Sequence, residues 1–369
     1  EDAESLYVRE ADETARLHNG FLDQADILRI AAEHHVDAIH PGYGFLSENA
    51  DFVQRIEKQG LLFIGPSSSA MQRMGEKTSA RTEAKAAQVP LLPGEEIEDA
   101  TLLTEKQRLE LVERIGLPVV LKAAAGGGGK AQAIVNNFAE TTEAFDKVIR
   151  EAARLYNSKS LVVERYLVKA RHVEVQVLGN AAKKNFALFD RDCSAQRNNQ
   201  KIIEEAPAPN LPDSVRQELH ASAVRLANHV GYSNAGTMEY LFDPVRNECY
   251  FLEMNTRLQV EHAVTELVTG LDLVEQMFRI AAGEKILFCQ KDVMTKGWAI
   301  EARLYAEDPV RGFMPSTGRL TRYLPPVTNS HIRIDTGVDE GSEISMFYDP
   351  MVAKVCGFGK TRADAIIAL

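Results

Sequence analysis

The chain has 369 residues, 45% hydrophobic and 26% charged, with a formal net charge of -11 at pH 7. That length supplies two or three packed units with a large core, and the acidic balance excludes a general nucleic-acid footprint while allowing a local basic pocket. Cys193, Cys249, Cys289 and Cys356 are widely spaced without a CxxC, no apolar run is long enough to span a bilayer, and no signal-peptide pattern opens the chain, so a disulfide framework, a zinc site and a membrane span are not indicated and a reducing compartment is.

Apolar spacing predicts a helix over 24–34 and a short strand over 36–39, which runs into HPGYGFLSE at 40–48. A second helix follows near 49–56 and a buried strand at 61–64. Strand, helix and strand in alternation point to a parallel sheet, with the Gly/Pro turn either a ligand edge or simply a structural turn. Residues 67–89 read as a helical stretch carrying Lys77 and Lys85, each of which alone is ordinarily a surface charge. After a helix at 109–115, the apolar strand 117–122 ends in Lys122 and meets AAAGGGGK at 123–130, with a strand resuming at 134–135. Four glycines between two strands make a mobile hairpin whose amides can close over phosphates, Lys122 and Lys130 supplying counter-charge; a flexible linker is the competing reading. No GK[ST] opens a helix there, so it is not a Walker A loop.

An amphipathic helix is predicted over 141–156 and a strand over 160–167. The next strand, 172–178, alternates cleanly, placing His172, Glu174 and Gln176 on one face, for which a half-exposed sheet is a sufficient account. Beyond a strand at 186–189, residues 190–201 read as too polar and too bent for core, with Gln196, Arg197 and Lys201 suited to an anion or to solvent. A long helix at 214–230 stops at Gly231, and a strand at 236–243 presents Glu239 beside the strand that carries Glu253. Glu239 and Glu253, with Asn255 close by, make a magnesium site that phosphate oxygens would complete. From 253 to 261 every odd position is polar (Glu253, Asn255, Arg257, Gln259, Glu261), so an extended backbone would line one edge with groups able to hold a cation, pin an anion and keep a carboxylate as base. A helix at 271–282, a strand at 297–305, and turns with short strands to the end complete the reading.

These motifs, in order, resemble the biotin carboxylase family of ATP-grasp enzymes: HPGYGFLSEN at 40–49, Lys122 with its glycine loop, RHVEVQ at 171–176, RDC at 191–193, QKIIEEAPAP at 200–209, EMNTRLQVEH at 253–262 and EARLYAEDP at 301–309. GWAIEAR at 297–303 and RGFMPSTGRL at 311–320 look most like the biotin-containing alpha subunits of acyl-CoA carboxylases, the propionyl-CoA type first. The resemblance implies an α/β (α+β) ATP-grasp fold: a truncated Rossmann-like N-terminal subdomain (1–66), an ATP-grasp domain (67–290) with a mobile lid at about 94–166, and a truncated C-terminal domain (291–369). It implies ATP contacts at Lys85, Lys122, Gly127, Gly128, Gly129, Glu164, Leu167, His172 and Gln196. Metal ligands, for Mg2+ or Mn2+, are implied at Glu239, Glu253 and Asn255. Bicarbonate falls to Arg257, Gln259 and Val260, with Glu261 as general base, Lys201 near carboxyphosphate and Arg303 stabilising the biotin enolate. The implied partners are a biotin carboxyl carrier domain and a carboxyltransferase beta subunit, in an oligomer without nucleic acid or membrane. The compartment would be bacterial cytoplasm or mitochondrial matrix.

Several positions depart from the family pattern. Lys130-Ala-Gln-Ala133 stands where a basic residue, Gly and Met usually follow the glycines, Arg165 where lysine is common, Asn198 where a second arginine is common, and Ala263 where proline is usual. An alanine at 131 takes a positive φ only at a cost. No Met-Lys-Met segment is present, so the biotin would be carried elsewhere than in these residues. A general ATP-grasp carboxylate–amine ligase, another acyl-CoA or pyruvate carboxylase component and a degenerate ATP-binding subunit are the competing functions.

Overall fold

The computed structural model describes residues 2–124, 131–180 and 184–369, leaving aside the side chains of Lys77 and Thr78. They form two compact units: Glu1–Val89 with Arg171–Phe242 and Leu252–Leu369, and Pro90–Ala170 with Asp243–Phe251.

The first unit is built on a sheet in the spatial order Asn234–Asp243, Arg171–Gly179, Asn185–Arg197, Gln200–Ala206, Trp298–Tyr305, Met351–Gly359, Ile332–Thr336, with residues 252–255, the end of the strand Glu248–Asn255, beside the first of these. The pairings from Asn234–Asp243 to Ile332–Thr336 are antiparallel. The helix Asp213–Val230 buries Leu219, Ala223, Leu226 and Val230, a single stripe at three- and four-residue spacing, and stops at Gly231, whose φ of 67° is left-handed. Near the N-terminus Ala38–Ile39 pairs in parallel with Leu62–Phe63, as the alternation of elements predicts. Helices Gln24–Glu33 and Ala50–Lys58 flank the pair, their first turns capped by the carboxylate of Asp23 and the amide oxygen of Asn49. Leu28, Leu46, Phe52 and Ile56 form the core beneath them, each such side chain contributing about 1.5–3 kcal/mol by leaving water.

In the second unit four antiparallel strands run in the order Gly94–Ile97, Leu161–Arg165, Val119–Ala123, Gln132–Val135. Helix Glu105–Ile115, opened by a capping box between Thr104 and Gln107, and helix Thr141–Tyr156 pack Leu111, Val112, Phe145 and Val148 with Val119, Leu121 and Val163 of the sheet. Ala131 is buried in that core with φ at 50°, the left-handed conformation that an alanine adopts only at a cost.

The structure corrects five expectations. Both faces of Arg171–Gly179 are buried: Val173, Val175 and Val177 on one side, Glu174 and Gln176 on the other, all fully inaccessible. The first residues of the stretch 190–201 are core: on the strand Asn185–Arg197, Asp190, Arg191 and Cys193 are fully buried, whereas Ser194, Ala195, Gln196, Asn198 and Asn199 are exposed, as the polarity of the stretch predicts. The polar strand carrying Glu253 ends at Asn255, and a turn rather than extended backbone leads to the helix His262–Thr269. The helical stretch at 67–89 is two helices, Ser68–Gly75 and Lys77–Ala86, separated by an extended Glu76. The C-terminal stretch contains a nine-residue strand, Met351–Gly359, and the helix Arg362–Ala368.

Candidate active site

Strand register alone brings three charged side chains into a row. Glu174 stands opposite Glu239 on one neighbouring strand and opposite Arg191 on the other, and residues directly opposite in an antiparallel pair lie on the same face. A guanidinium without water needs an acceptor for each of its five N–H groups. Arg191 has them: Nε donates to Glu174 (2.6 Å), Nη1 to Gln176 (2.8 Å) and Thr265 (2.9 Å), and Nη2 to Thr237 (3.1 Å) and Gln259 (2.6 Å). This is why Arg191 stays inside on the strand Asn185–Arg197.

Lys201 is a second, nearly buried cation. Its Nζ donates to Glu174 (2.6 Å), Glu239 (2.9 Å) and Glu261 (2.7 Å), so all three N–H groups end on carboxylates. Burial alone would raise the Glu174 pKa, but Lys201 and Arg191 hold it well below the usual carboxylate range. His172 Nε2 lies 3.2 Å from Glu239 and 3.5 Å from Glu174. Burial pulls that imidazole down, yet the two carboxylates outweigh it and push it up to about 9. Arg303, nearly buried, donates through Nε to Glu204 (2.6 Å) and through Nη2 to Glu261 (2.9 Å). Burial lifts Glu204 to about 8 despite Arg303, and its second oxygen has no hydrogen-bond partner.

The turn after Asn255 delivers the remaining groups. Glu48, at the end of the HPGYGFLSE motif, accepts the Thr256 N–H (2.9 Å) and Arg257 Nε (2.9 Å), which ends the strand and swings the chain toward the carboxylates. The motif itself turns on Gly42 and Gly44, at φ 64° and 120°. On the far side Lys354 donates to the Val260 carbonyl (2.5 Å), and His262 Nδ1 closes the turn on the Gln259 carbonyl (2.8 Å). Gln259 and Glu261 thus reach the buried cluster, while Arg257 Nη2 donates to Asn255 (3.0 Å).

Of the metal ligands expected from sequence, Asn255 donates its Nδ2 to Glu239 (2.8 Å), and Glu253 is on the same strand, two residues earlier. The oxygen donors of these three suit a hard divalent cation. In this arrangement Asn255 turns its amide nitrogen to Glu239 and its oxygen to Arg257, so ligation through that oxygen requires the amide to turn. Two other donor sets converge within 4.8 Å among the described residues: His172–Glu174–Glu239 and Glu174–Cys193–Glu261.

Gln196 is exposed and donates to the Cys193 carbonyl (2.8 Å), and Lys85 is exposed on its helix. In the second unit Lys122 donates to Glu164 (2.9 Å), and Leu167 follows that strand, half-buried. Gly127, Gly128 and Gly129 lie outside the described residues. Sequence reasoning gave no role to Arg191, Glu174, Glu204, Glu48 or Lys354. Arg191, Glu174, Glu204 and Glu48 sit in motifs used for the resemblance. Glu174, between Val173 and Val175, and Lys354, between Ala353 and Val355, carried the signal of a charge flanked by apolar residues, whereas Arg191, Glu204 and Glu48 each have a polar neighbour and gave no such signal.

Three family models match: the ATP binding domain of carbamoyl-phosphate synthase L chain over 76–288, the biotin carboxylase N-terminal domain over 1–71 and the biotin carboxylase C-terminal domain over 301–369. The chain is 44% identical to the propionyl-CoA carboxylase alpha chain of Ruegeria pomeroyi, covering 100% of this chain and 57% of that one. It is 46% identical to the mitochondrial methylcrotonoyl-CoA carboxylase subunit alpha of Glycine max, covering 100% and 50%. Among solved structures, the biotin carboxylase domain of a thermophilic 2-oxoglutarate carboxylase bound to bicarbonate superposes with a TM-score of 0.92 at 36% identity, over 99% of this chain and 81% of that one. The chain belongs to the biotin carboxylase family, ATP-dependent ligases of the ATP-grasp fold that carboxylate biotin. It spans about half the length of the curated relatives it matches.

Proposed function

We propose that this chain carboxylates carrier-borne biotin with bicarbonate and ATP, as the biotin carboxylase component of an acyl-CoA carboxylase. One observation carries the reading: the Glu261 carboxylate sits between Lys201 (2.7 Å) and Arg303 (2.9 Å), on the turn that also bears Arg257, Gln259 and Val260. A base and an anion-binding amide and guanidinium carried on one turn are thereby brought together with two cations from the strands Gln200–Ala206 and Trp298–Tyr305.

Arg257, Gln259 and the Val260 backbone bind bicarbonate, and Glu261 accepts its proton as a bicarbonate oxygen attacks the γ-phosphorus. The bond to the β-phosphate oxygen breaks, ADP leaves and carboxyphosphate forms, with Lys201 offsetting the charge on the transferred group. Carboxyphosphate splits into carbon dioxide and phosphate, the phosphate takes the ring N–H proton of biotin, and Arg303 holds the enolate oxygen while the nitrogen attacks carbon dioxide. Glu239 and Glu253, with Asn255, hold Mg2+ or Mn2+, which when bound supplies charge neutralisation on the phosphates. Lys85, Lys122, Glu164, Leu167, His172, Gln196 and Gly127–Gly129 hold ATP, and residues of about 94–166 act as its lid. The acyl acceptor is propionyl-CoA, presented by a carboxyltransferase subunit, and methylcrotonyl-CoA is the alternative that relatives of both names support.

Bicarbonate labelled with 18O tests the chemistry. Attack on the γ-phosphorus transfers one labelled oxygen into inorganic phosphate, whereas phosphate without label means that water, not bicarbonate, is the nucleophile. Assays with the carboxyltransferase subunit then rank propionyl- against methylcrotonyl- and acetyl-CoA.

A further inference from the structure

Gln259 can serve an anion only if its amide points the right way, and a primary amide has two orientations of nearly equal shape. The neighbours remove the choice. Arg191 Nη2 donates to Gln259 Oε1 at 2.6 Å, and a guanidinium has no acceptor to offer a flipped NH2. The NH2 is left on the carboxylate side, where it donates to Glu239 Oε1 at 2.9 Å with a second N–H remaining.

Arg191 is itself unable to rotate away. Gln176 spends its own NH2 on the Gly236 carbonyl (3.0 Å), so its oxygen must face Arg191. Thr237 and Thr265, on a strand and a helix, accept from the two terminal nitrogens, and Glu174 takes Nε. Four side chains from three segments therefore fix one guanidinium plane, and that plane fixes Gln259. The same guanidinium occupies one oxygen of Glu174, leaving the other for Lys201 (2.6 Å).

We infer that Arg191 is a positioning residue for the anion: buried and out of reach of substrate, it locks the Gln259 amide with its N–H groups toward the bicarbonate side and so sets bicarbonate affinity. This rests on the biotin carboxylase reading of the site. A guanidinium is needed, because lysine carries its three donors on one atom and cannot bridge Glu174 and Gln259 as a planar fork does.

Steady-state kinetics of Arg191→Lys, with ATP and bicarbonate varied separately, test it. The expected result is a bicarbonate KM raised about tenfold, the loss of a charged hydrogen bond, with the ATP KM within about twofold. A merely structural role lowers kcat through a smaller active fraction and leaves both KM values in place, which would overturn the inference. Thr237→Val removes the acceptor that shares Nη2 with Gln259, and serves if Arg191→Lys does not fold. A rise of about threefold in bicarbonate KM supports the role, and an unchanged value overturns it. Wild-type ATP turnover that ignores bicarbonate refutes the function itself, whereas normal wild-type behaviour with unmoved KM values in the variants refutes only the role of Arg191.

Discussion

Acidification is expected to loosen the turn that carries Gln259, Val260 and Glu261, and His262 sets the size of the effect. Its ring is 9% exposed, and Nδ1 donates to the Gln259 carbonyl, so the neutral ring carries its proton there and keeps Nε2 bare. Burial, then repulsion by Lys354, brings the His262 pKa down from 6.5 to about 4, although the Gln259 contact opposes them. As pH falls through 6.5 the unfolded chain takes the proton first. The contribution to stability is therefore complete above pH 6.5 and is lost as pH falls through about 4. Its size is about 3 kcal/mol. His262→Asn isolates it, because the Asn amide can donate to the same carbonyl and does not titrate. Urea unfolding of both proteins from pH 7 to pH 4 is expected to show wild type losing about 3 kcal/mol relative to the variant. A difference that stays flat across that range would refute the reasoning.

Glu261→Gln keeps the contact with Lys201 through its amide oxygen but cannot take a proton, and bicarbonate-dependent ADP release is expected to fall by about 10²–10⁴, read at saturating substrates. Lys122→Met breaks a half-exposed pair with Glu164, which is worth at most about 1 kcal/mol. Its urea midpoint is expected to move little while the ATP KM rises about tenfold. Ala131→Gly removes the strain of a positive φ but also a buried methyl, so stability is expected to stay within about 1 kcal/mol of wild type. Ala131→Val adds a β-branch at the same backbone and is expected to cost about 2 kcal/mol or more, measured by the same unfolding.

Local signals were read accurately where local physics decides. The helix Thr141–Tyr156 was bounded to the residue by its apolar stripe, and Gly231 marked the end of Asp213–Val230 because a left-handed stop favours glycine. The motif around Glu253–Glu261 singled out side chains of which the structure brings Gln259 and Glu261 to the buried cluster, but its backbone was misjudged. Alternating polar residues suggest a strand, and nothing local reveals that Glu48, 208 residues earlier, captures Thr256 and ends it. Within 190–201 the buried residues 190–193 were missed for a similar reason. A guanidinium in the core is costly unless every donor is met, and the acceptors of Arg191 come from 15, 17, 46, 68 and 74 residues away. Only the sheet register, which sets Glu174 opposite Arg191, makes that burial affordable. Polarity in this chain is thus a poor guide to exposure at the place where the candidate chemistry sits.

The most direct test of the central claim is ADP release by the purified protein with ATP and a divalent cation, in the presence and absence of bicarbonate and of biotin. Release that requires bicarbonate and rises with biotin, with labelled carbon from bicarbonate recovered on the biotin ring, is the expected result. Turnover indifferent to both, or transfer of the phosphorylated carboxylate to an amine with biotin unlabelled, would contradict it.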